Sequence, residues 1–272
     1  LMMILFIGYP IVYSFLLTFS DFSLTKVDWF AAGTSNYIRV LTDKAFVKAF
    51  WVTITYTAVF VPLSVSLALM VGVLIQQVKI GATFFRSMLF LPSVVPLALG
   101  YLMFQWVLDP SNGILNHLLA DIFGMPQLAR AWLNSKETVV STIVAVTLWG
   151  FGPWILMLSG LLAIPKDFYE AARVDGATSW EEFRYITLPL MRVTIMIVAV
   201  LQVIFAMKIF GPIYIMTLGG PAGASRSLYY LVWERINRGP NWYSYASTVG
   251  WVFTLIVITF SLGTSYLLRS RD

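Results

Sequence analysis

The chain has 272 residues, 59% hydrophobic and only 11% charged, and its mean hydropathy is +0.80. Soluble domains carry roughly 25% charged residues, so a surface facing water throughout is excluded and the solvent is lipid. With no cysteine and a single histidine, His117, a disulfide framework and a thiolate or histidine metal centre are excluded. The net charge of +5 fits cytoplasmic Lys and Arg of a membrane protein better than nucleic-acid binding.

A spanning helix needs about 20 mainly apolar residues. Six runs meet this, near 1–20, 49–76, 84–107, 138–164, 189–211 and 246–268. They are continuous rather than alternating, so they predict helices, not barrel strands. The expected fold is all-α: a polytopic membrane helix bundle of about six transmembrane helices, a single domain over 1–272. The opening run, LMMILFIGYPIVYSFLLTF, is too long for the apolar core of a signal peptide and has no small-residue cleavage site. Pro10, Pro62, Pro92, Pro96 and Pro153 fall inside the runs. Each removes a backbone donor, so kinks or packing irregularities are expected there.

The connections divide into two sets. Segments 77–86, 165–192 and 269–272 hold Lys79, Arg86, Lys166, Arg173, Arg184, Arg192, Arg269 and Arg271, eight basic residues in 42 positions. The opposite segments, 21–48, 108–137 and 212–245, hold nine in 92. The positive-inside rule puts the first set in the cytoplasm. GILNHLLADIFG, 113–124, reads as a short amphipathic helix lying along the outer interface.

Between the fourth and fifth runs lies a charged insert, YEAARVDGATSWEEFRYITLPL, 169–190. Asp167 with Glu170 predicts a capping box opening one helix. Asp175-Gly176 ends it, since glycine takes the left-handed conformation. Thr178 with Glu181 predicts a second capping box, and that helix runs to Pro189, where the chain is expected to turn. Phe168, Tyr169, Trp180, Phe183 and Tyr185 either pack back on the bundle or meet a partner. So long and doubly capped a loop exceeds what a connector needs.

These residues resemble the EAA loop of permease subunits of binding-protein-dependent ABC importers. The pattern is E-A-A, three residues, G, nine residues, I, one residue, L-P. Here it is met by Glu170-Ala171-Ala172, Gly176, Ile186 and Leu188-Pro189, with Asp175 and Ala177 flanking the glycine. Arg192 stands where a further proline is common. GLLAIPKDFYEAARVDGA (160–177), MTLGGP (216–221), Tyr9-Pro10 and SNYIRVLTD (35–43) resemble the carbohydrate-uptake branch, larger maltose-type permease. The resemblance implies a MetI-like permease fold in a bacterial cytoplasmic membrane. It also implies a coupling helix in which Phe168, Glu170, Ala171, Ala172, Asp175, Gly176 and Ala177 dock on an ATP-binding subunit. The implied partners are a second homologous permease, two ATP-binding subunits holding ATP and Mg, an extracytoplasmic solute-binding protein and membrane lipid.

The chain has no G-x-x-x-x-G-K-[ST] phosphate loop, no G-x-S-x-G and no H-E-x-x-H, so neither ATP hydrolysis nor another enzymatic activity is expected of it. Polar groups inside the runs are the candidates for a pathway. Thr147, Gly150, Phe151 and Trp154 of TLWGFGPW, with Gln202, Ala206 and Lys208, are the expected pathway residues, because the resemblance places substrate contacts in the spans before and after the EAA loop. Aromatic faces suit sugar rings. Lys208 either snorkels to the outer interface or meets a sugar or an acidic substrate. A non-sugar solute such as glycerol phosphate is the alternative cargo. A self-sufficient secondary transporter or channel needs coupling carboxylates in its spans, and Asp and Glu are essentially missing from these.

Overall fold

The structure, a computed structural model, describes residues 2–22, 27–78, 80–150 and 152–268; Lys79, Phe151, Arg269 and Arg271 lie outside the described residues. It is helical almost throughout. A π turn, Ile4–Gly8, leads into α1 (Tyr9–Leu17), and a two-residue antiparallel ladder of β1 (Asp21–Phe22) and β2 (Val27–Asp28) follows. Then come α2 (Ser35–Thr42), α3 (Lys44–Gln77), α4 (Ala82–Val94), α5 (Leu97–Val107), α6 (Ile114–His117), α7 (Val139–Thr147) and α8 (Trp154–Leu162). The insert supplies α9 (Lys166–Val174), α10 (Ser179–Glu181) and α11 (Leu188–Leu190), and the chain closes with α12 (Arg192–Met207), α13 (Leu228–Ile236) and α14 (Tyr243–Leu268).

The six apolar runs are not six unbroken helices. Among the described residues, two helices are long and apolar enough to cross a membrane unbroken, one over Lys44–Gln77 and one over Pro240–Leu267. The run at 84–107 is interrupted between Val94 and Leu97, where Val95 is extended ahead of Pro96, as expected of a residue preceding proline. The run at 138–164 is split into α7 and α8 by the stretch that holds Pro153. At Pro62 and Pro92, by contrast, α3 and α4 continue without a break.

The chain forms two compact units, Leu1–Tyr56, Ala98–Ile143 and Met207–Ile258 in the first, and Thr57–Leu97, Val144–Ala206 and Thr259–Asp272 in the second. The first is tied by polar knots at its loops. Asn36 Nδ2 donates to the carbonyls of Thr18 and Ser20, both at 3.0 Å. Asp43 accepts from the Tyr245 hydroxyl, from Ala45 N–H at 2.8 Å and from Arg235 at 3.4 Å. Burial raises the Asp43 carboxyl, but these donors together with the charge of Arg235 outweigh it and hold the group below its ordinary value.

The second unit has an apolar core of Ala68, Val71 and Ile75 from α3, Trp154, Met157, Leu158 and Leu161 from α8, and Met191 and Val198 around the start of α12. Two glycines set how closely these helices approach. A Cβ on Gly72 of α3 would lie 3.2–3.3 Å from Leu161, Leu158 and Met157. One on Gly160 of α8 would lie 2.7 Å from Thr194 Oγ1 and 3.0 Å from Met191 Sδ. The packing of α8 on both neighbours therefore depends on missing side chains.

Candidate functional site

The insert folds as the helix–turn–helix the sequence predicts, with two corrections. Asp167 is not the N-cap of α9: the helix begins at Lys166, Pro165 occupies the cap position, and no side chain caps it. Pro165 is extended, with ψ 137°, and supplies the non-helical entry, which moves Asp167 into the first turn, still favourably placed at the positive helix end. The Asp167–Glu170 capping box is therefore not formed. Nor does the chain turn at Pro189. A π turn over Glu182–Thr187 precedes α11, Pro189 sits inside α11, and the turn comes at Met191. The helical stretch Ser179–Leu190 then meets α12 at 67°. Widening the preceding turn relieves the clash that a proline ring makes with the carbonyl four residues back.

The end of α9 follows prediction. Gly176 has φ +84°, its N–H donates to Arg173 O at 3.1 Å, and Ala177 N–H donates to Ala172 O at 2.9 Å. These two bonds form a Schellman turn. The second capping box is present: the Thr178 hydroxyl accepts from Glu181 N–H while Glu181 Oε2 accepts from Thr178 N–H at 2.7 Å. The bonds from the Thr178 backbone and hydroxyl hold the Glu181 carboxyl below its ordinary value.

Two contacts that sequence reasoning missed pin the hairpin. Arg173 Nε donates to Glu182 Oε1 at 2.7 Å and Nη2 to Oε2 at 3.3 Å. Glu182 is nearly buried while Arg173 stays exposed, and the carboxylate raises the guanidinium above its ordinary value. The Tyr169 hydroxyl meets Thr187 Oγ1 at 3.0 Å. Side chains meet along one helix at separations of three or four residues, not nine or eighteen, so only the folded hairpin reveals these pairs.

What the hairpin leaves outward is the candidate coupling surface. No residue of α9 is buried. Phe168, Glu170, Ala171, Asp175 and Gly176 are exposed, and Ala172 and Ala177 half-buried. Val174 is 88% exposed, and Trp180 and Tyr185 are exposed as well. The aromatics thus divide: Tyr169 and Phe183 turn inward, while Phe168, Trp180 and Tyr185 face out.

The expected pathway residues fare unevenly. Thr147 is half-buried at the end of α7, its hydroxyl donating to Val144 O at 3.0 Å. Gly150 is half-buried with no atom within 4 Å of where a Cβ would stand, so it borders open space. Trp154 is only 5% exposed in the apolar core, and Ala206 is fully buried. Neither offers a surface to a solute in this conformation, because the first ring of α8 and the methyl near the end of α12 are taken up by packing. Gln202 is half-buried on α12, and Lys208 is exposed just past its last residue. A void lined by Val52, Tyr56, Val140, Ile143, Ile209, Ile213 and Ser225 in the first unit measures about 10 Å³, room for no more than a water. Among the described residues no group of three or more His, Asp or Glu could hold a metal.

Residues 61–270 match the family described as "Binding-protein-dependent transport system inner membrane component". The chain is 32% identical over 232 residues to the trehalose/maltose transport system permease protein MalF of Thermococcus litoralis, covering 85% of this chain and 77% of that one. It is 29% identical over 246 residues to the lactose transport system permease protein LacF of Rhizobium radiobacter, covering 88% and 82%. A chain in the crystal structure of a bacterial ABC transporter importing the acidic polysaccharide alginate shares its fold, with TM-score 0.84 at 19% identity over 98% of this chain and 91% of that one. From a match spanning both the bundle and the insert, the chain belongs to the family of binding-protein-dependent transport system inner membrane components.

Proposed function

We propose that this chain forms half of the translocation pathway of an ATP-driven sugar or oligosaccharide importer of the bacterial cytoplasmic membrane. One observation carries the proposal: the EAA insert stands out as a doubly fastened helical hairpin with an uncovered apolar and carboxylate face. That face would seat α9 in a groove of an ATP-binding subunit. ATP and Mg would be bound by two such subunits, since this chain has no phosphate loop. A second homologous permease would complete the pathway and an external binding protein would deliver the solute. The relatives named for trehalose/maltose and lactose transport support a sugar as cargo.

Nucleotide-driven closure of the ATP-binding pair would draw the two inserts together and switch the bundle between inward- and outward-facing states. The test is to co-express the chain with its ATP-binding subunits, purify the complex, and measure uptake of maltose, trehalose, lactose and an alginate pentasaccharide. Gly176→Trp should release the ATP-binding subunit and abolish uptake; a variant that still assembles and transports would sink the docking proposal. An acidic solute, a uronate sugar or a glycerol phosphate, is the second reading, favoured by Lys208 standing exposed beside α12. Lys208→Met should then depress uptake of alginate pentasaccharide selectively; equal effects on maltose would remove that reading.

A further inference from the structure

We propose that Trp29 and Phe30 form an anchor that enters the lipid leaflet at the C-terminal end of α1, at the boundary between headgroups and acyl chains. Both follow β2 in a run of tight turns, and both are exposed, Trp29 at 43% and Phe30 at 66%. Phe30 holds φ +65°, an uncommon conformation for a bulky side chain. Such a conformation persists only where the surroundings fix the backbone, and here they do. Gly33 N–H donates to Phe30 O at 3.2 Å, and Ala32 N–H donates to Phe19 O at 3.1 Å. Asn36 adds its two bonds to the Thr18 and Ser20 carbonyls, and the Thr18 and Tyr37 hydroxyls meet at 2.9 Å. The tip is thus fastened to the end of α1 while its phenyl ring is held outward.

Depth decides what covers these rings. Tyr13 stands four residues before Leu17, the last residue of α1, so its Cα lies about 6 Å along the axis from that end. Helical side chains lean further toward the N-terminus. Trp29 meets Tyr13 edge to face, with ring centroids 5.7 Å apart, and Tyr13 stacks in turn on Tyr9 at 5.9 Å. The chain therefore leaves α1 and returns along its side, which sets Trp29 against the turn before the last. On the same helix Tyr9, Ile11, Val12 and Phe15 are exposed, so the anchor continues an apolar surface that lipid solvates. Tryptophan and tyrosine, apolar in body and polar at the tip, collect at the boundary of the leaflet. Asp28, immediately ahead of Trp29, is exposed as well. A carboxylate is costly within the acyl core, so it halts the tip at headgroup level. The basic asymmetry of the connections makes this leaflet the outer one.

The anchor does not depend on which solute is carried. The chain holds no cysteine, so a nitroxide on Phe30→Cys reports the depth of the tip alone. The permease is labelled first, then assembled with its partner subunits in nanodiscs of phosphatidylethanolamine and phosphatidylglycerol. Power saturation compares collisions with oxygen, which concentrates among acyl chains, and with nickel ethylenediaminediacetate, which stays in water. Val12→Cys, on the exposed apolar surface of α1, and Asn112→Cys, on an exposed turn, set the two limits. The oxygen-to-nickel ratio of the Phe30→Cys label should stand several-fold above that of Asn112→Cys and approach that of Val12→Cys. A ratio no higher than that of Asn112→Cys would put the tip in water and overturn the anchor. Exclusion of both reagents would show protein, such as a second permease, over the rings and would overturn it equally. Ala31→Cys, exposed and leaving both rings in place, is read by the same criteria and decides the matter if Phe30→Cys fails to assemble.

Discussion

Gly176 holds its backbone at φ +84°, yet a Cβ there would touch nothing within 4 Å. Within this chain, substitution is therefore penalised through the backbone alone, by about 1–2 kcal/mol for a left-handed residue with a Cβ. Asparagine tolerates that conformation better than branched residues. Gly176→Asn should retain most coupled ATP hydrolysis in the complex, whereas Gly176→Val should lose it, a ranking that a simple crowding effect would not produce. The Arg173–Glu182 pair offers a second test. Removing Arg173 strands a nearly buried carboxylate, so Arg173→Met should lower the thermal midpoint more than the double variant Arg173→Met/Glu182→Leu, in which no unpaired charge remains. Glu181 gives a pH signature. Its carboxyl titrates below the ordinary 4.5 in the folded hairpin, so its contribution is complete above 4.5 and fades as the pH falls through the lowered folded value. Hydrogen exchange at Thr178 and Glu181 should accelerate in that acid window, and Glu181→Gln should remove the pH dependence. At this scale the sequence revealed most where the physics is local. The Thr178 box and the Gly176 cap follow from spacing, while Asp167 was misplaced because Pro165 claimed the cap first. Phe30 gave no signal at all, being one aromatic among many until the fold brings Trp29 back against Tyr13.

Among the elements, α8 is held closely on two sides. A methyl added at Gly160 would meet Thr194 and Met191 at 2.7–3.0 Å, one added at Gly72 would meet α8 at 3.2–3.3 Å. Overpacking of this kind costs about 1–3 kcal/mol. Gly160→Ala should therefore lower the thermal midpoint of the purified complex clearly more than Gly72→Ala, as read by fluorescence in detergent; the reverse order would show that the contact at Thr194 yields easily. The existence of these helices was legible from their apolar runs. Their interruptions were legible only in part. Pro96 and Pro153 do sit at breaks, but Pro62 and Pro92 lie inside continuous helices, because neighbours and local adjustment can absorb one missing donor. Likewise Trp154 and Gly150 lie four residues apart on one motif, and only packing decides that the ring enters the core while the glycine borders open space.

For the whole molecule, the exposed apolar residues of α1, α3, α5 and α14, such as Val12, Trp51, Met103 and Leu262, fit a surface solvated by lipid chains. The basic asymmetry of the connections predicts which ends of the helices meet the cytoplasm. Because the chain contains no cysteine, single introduced thiols report this cleanly. Asn112→Cys should react with a membrane-impermeant maleimide in intact cells, and Ser179→Cys only after permeabilisation; the opposite pattern would invert the orientation and remove the insert from any cytoplasmic partner. The glycine contacts of α8 then acquire a mechanical meaning. A connecting rod seated without clearance on both sides has no backlash. Any displacement imposed at the outer end of the insert would reach Pro153 undiminished, and the first joint with freedom to give would be the break between α7 and α8.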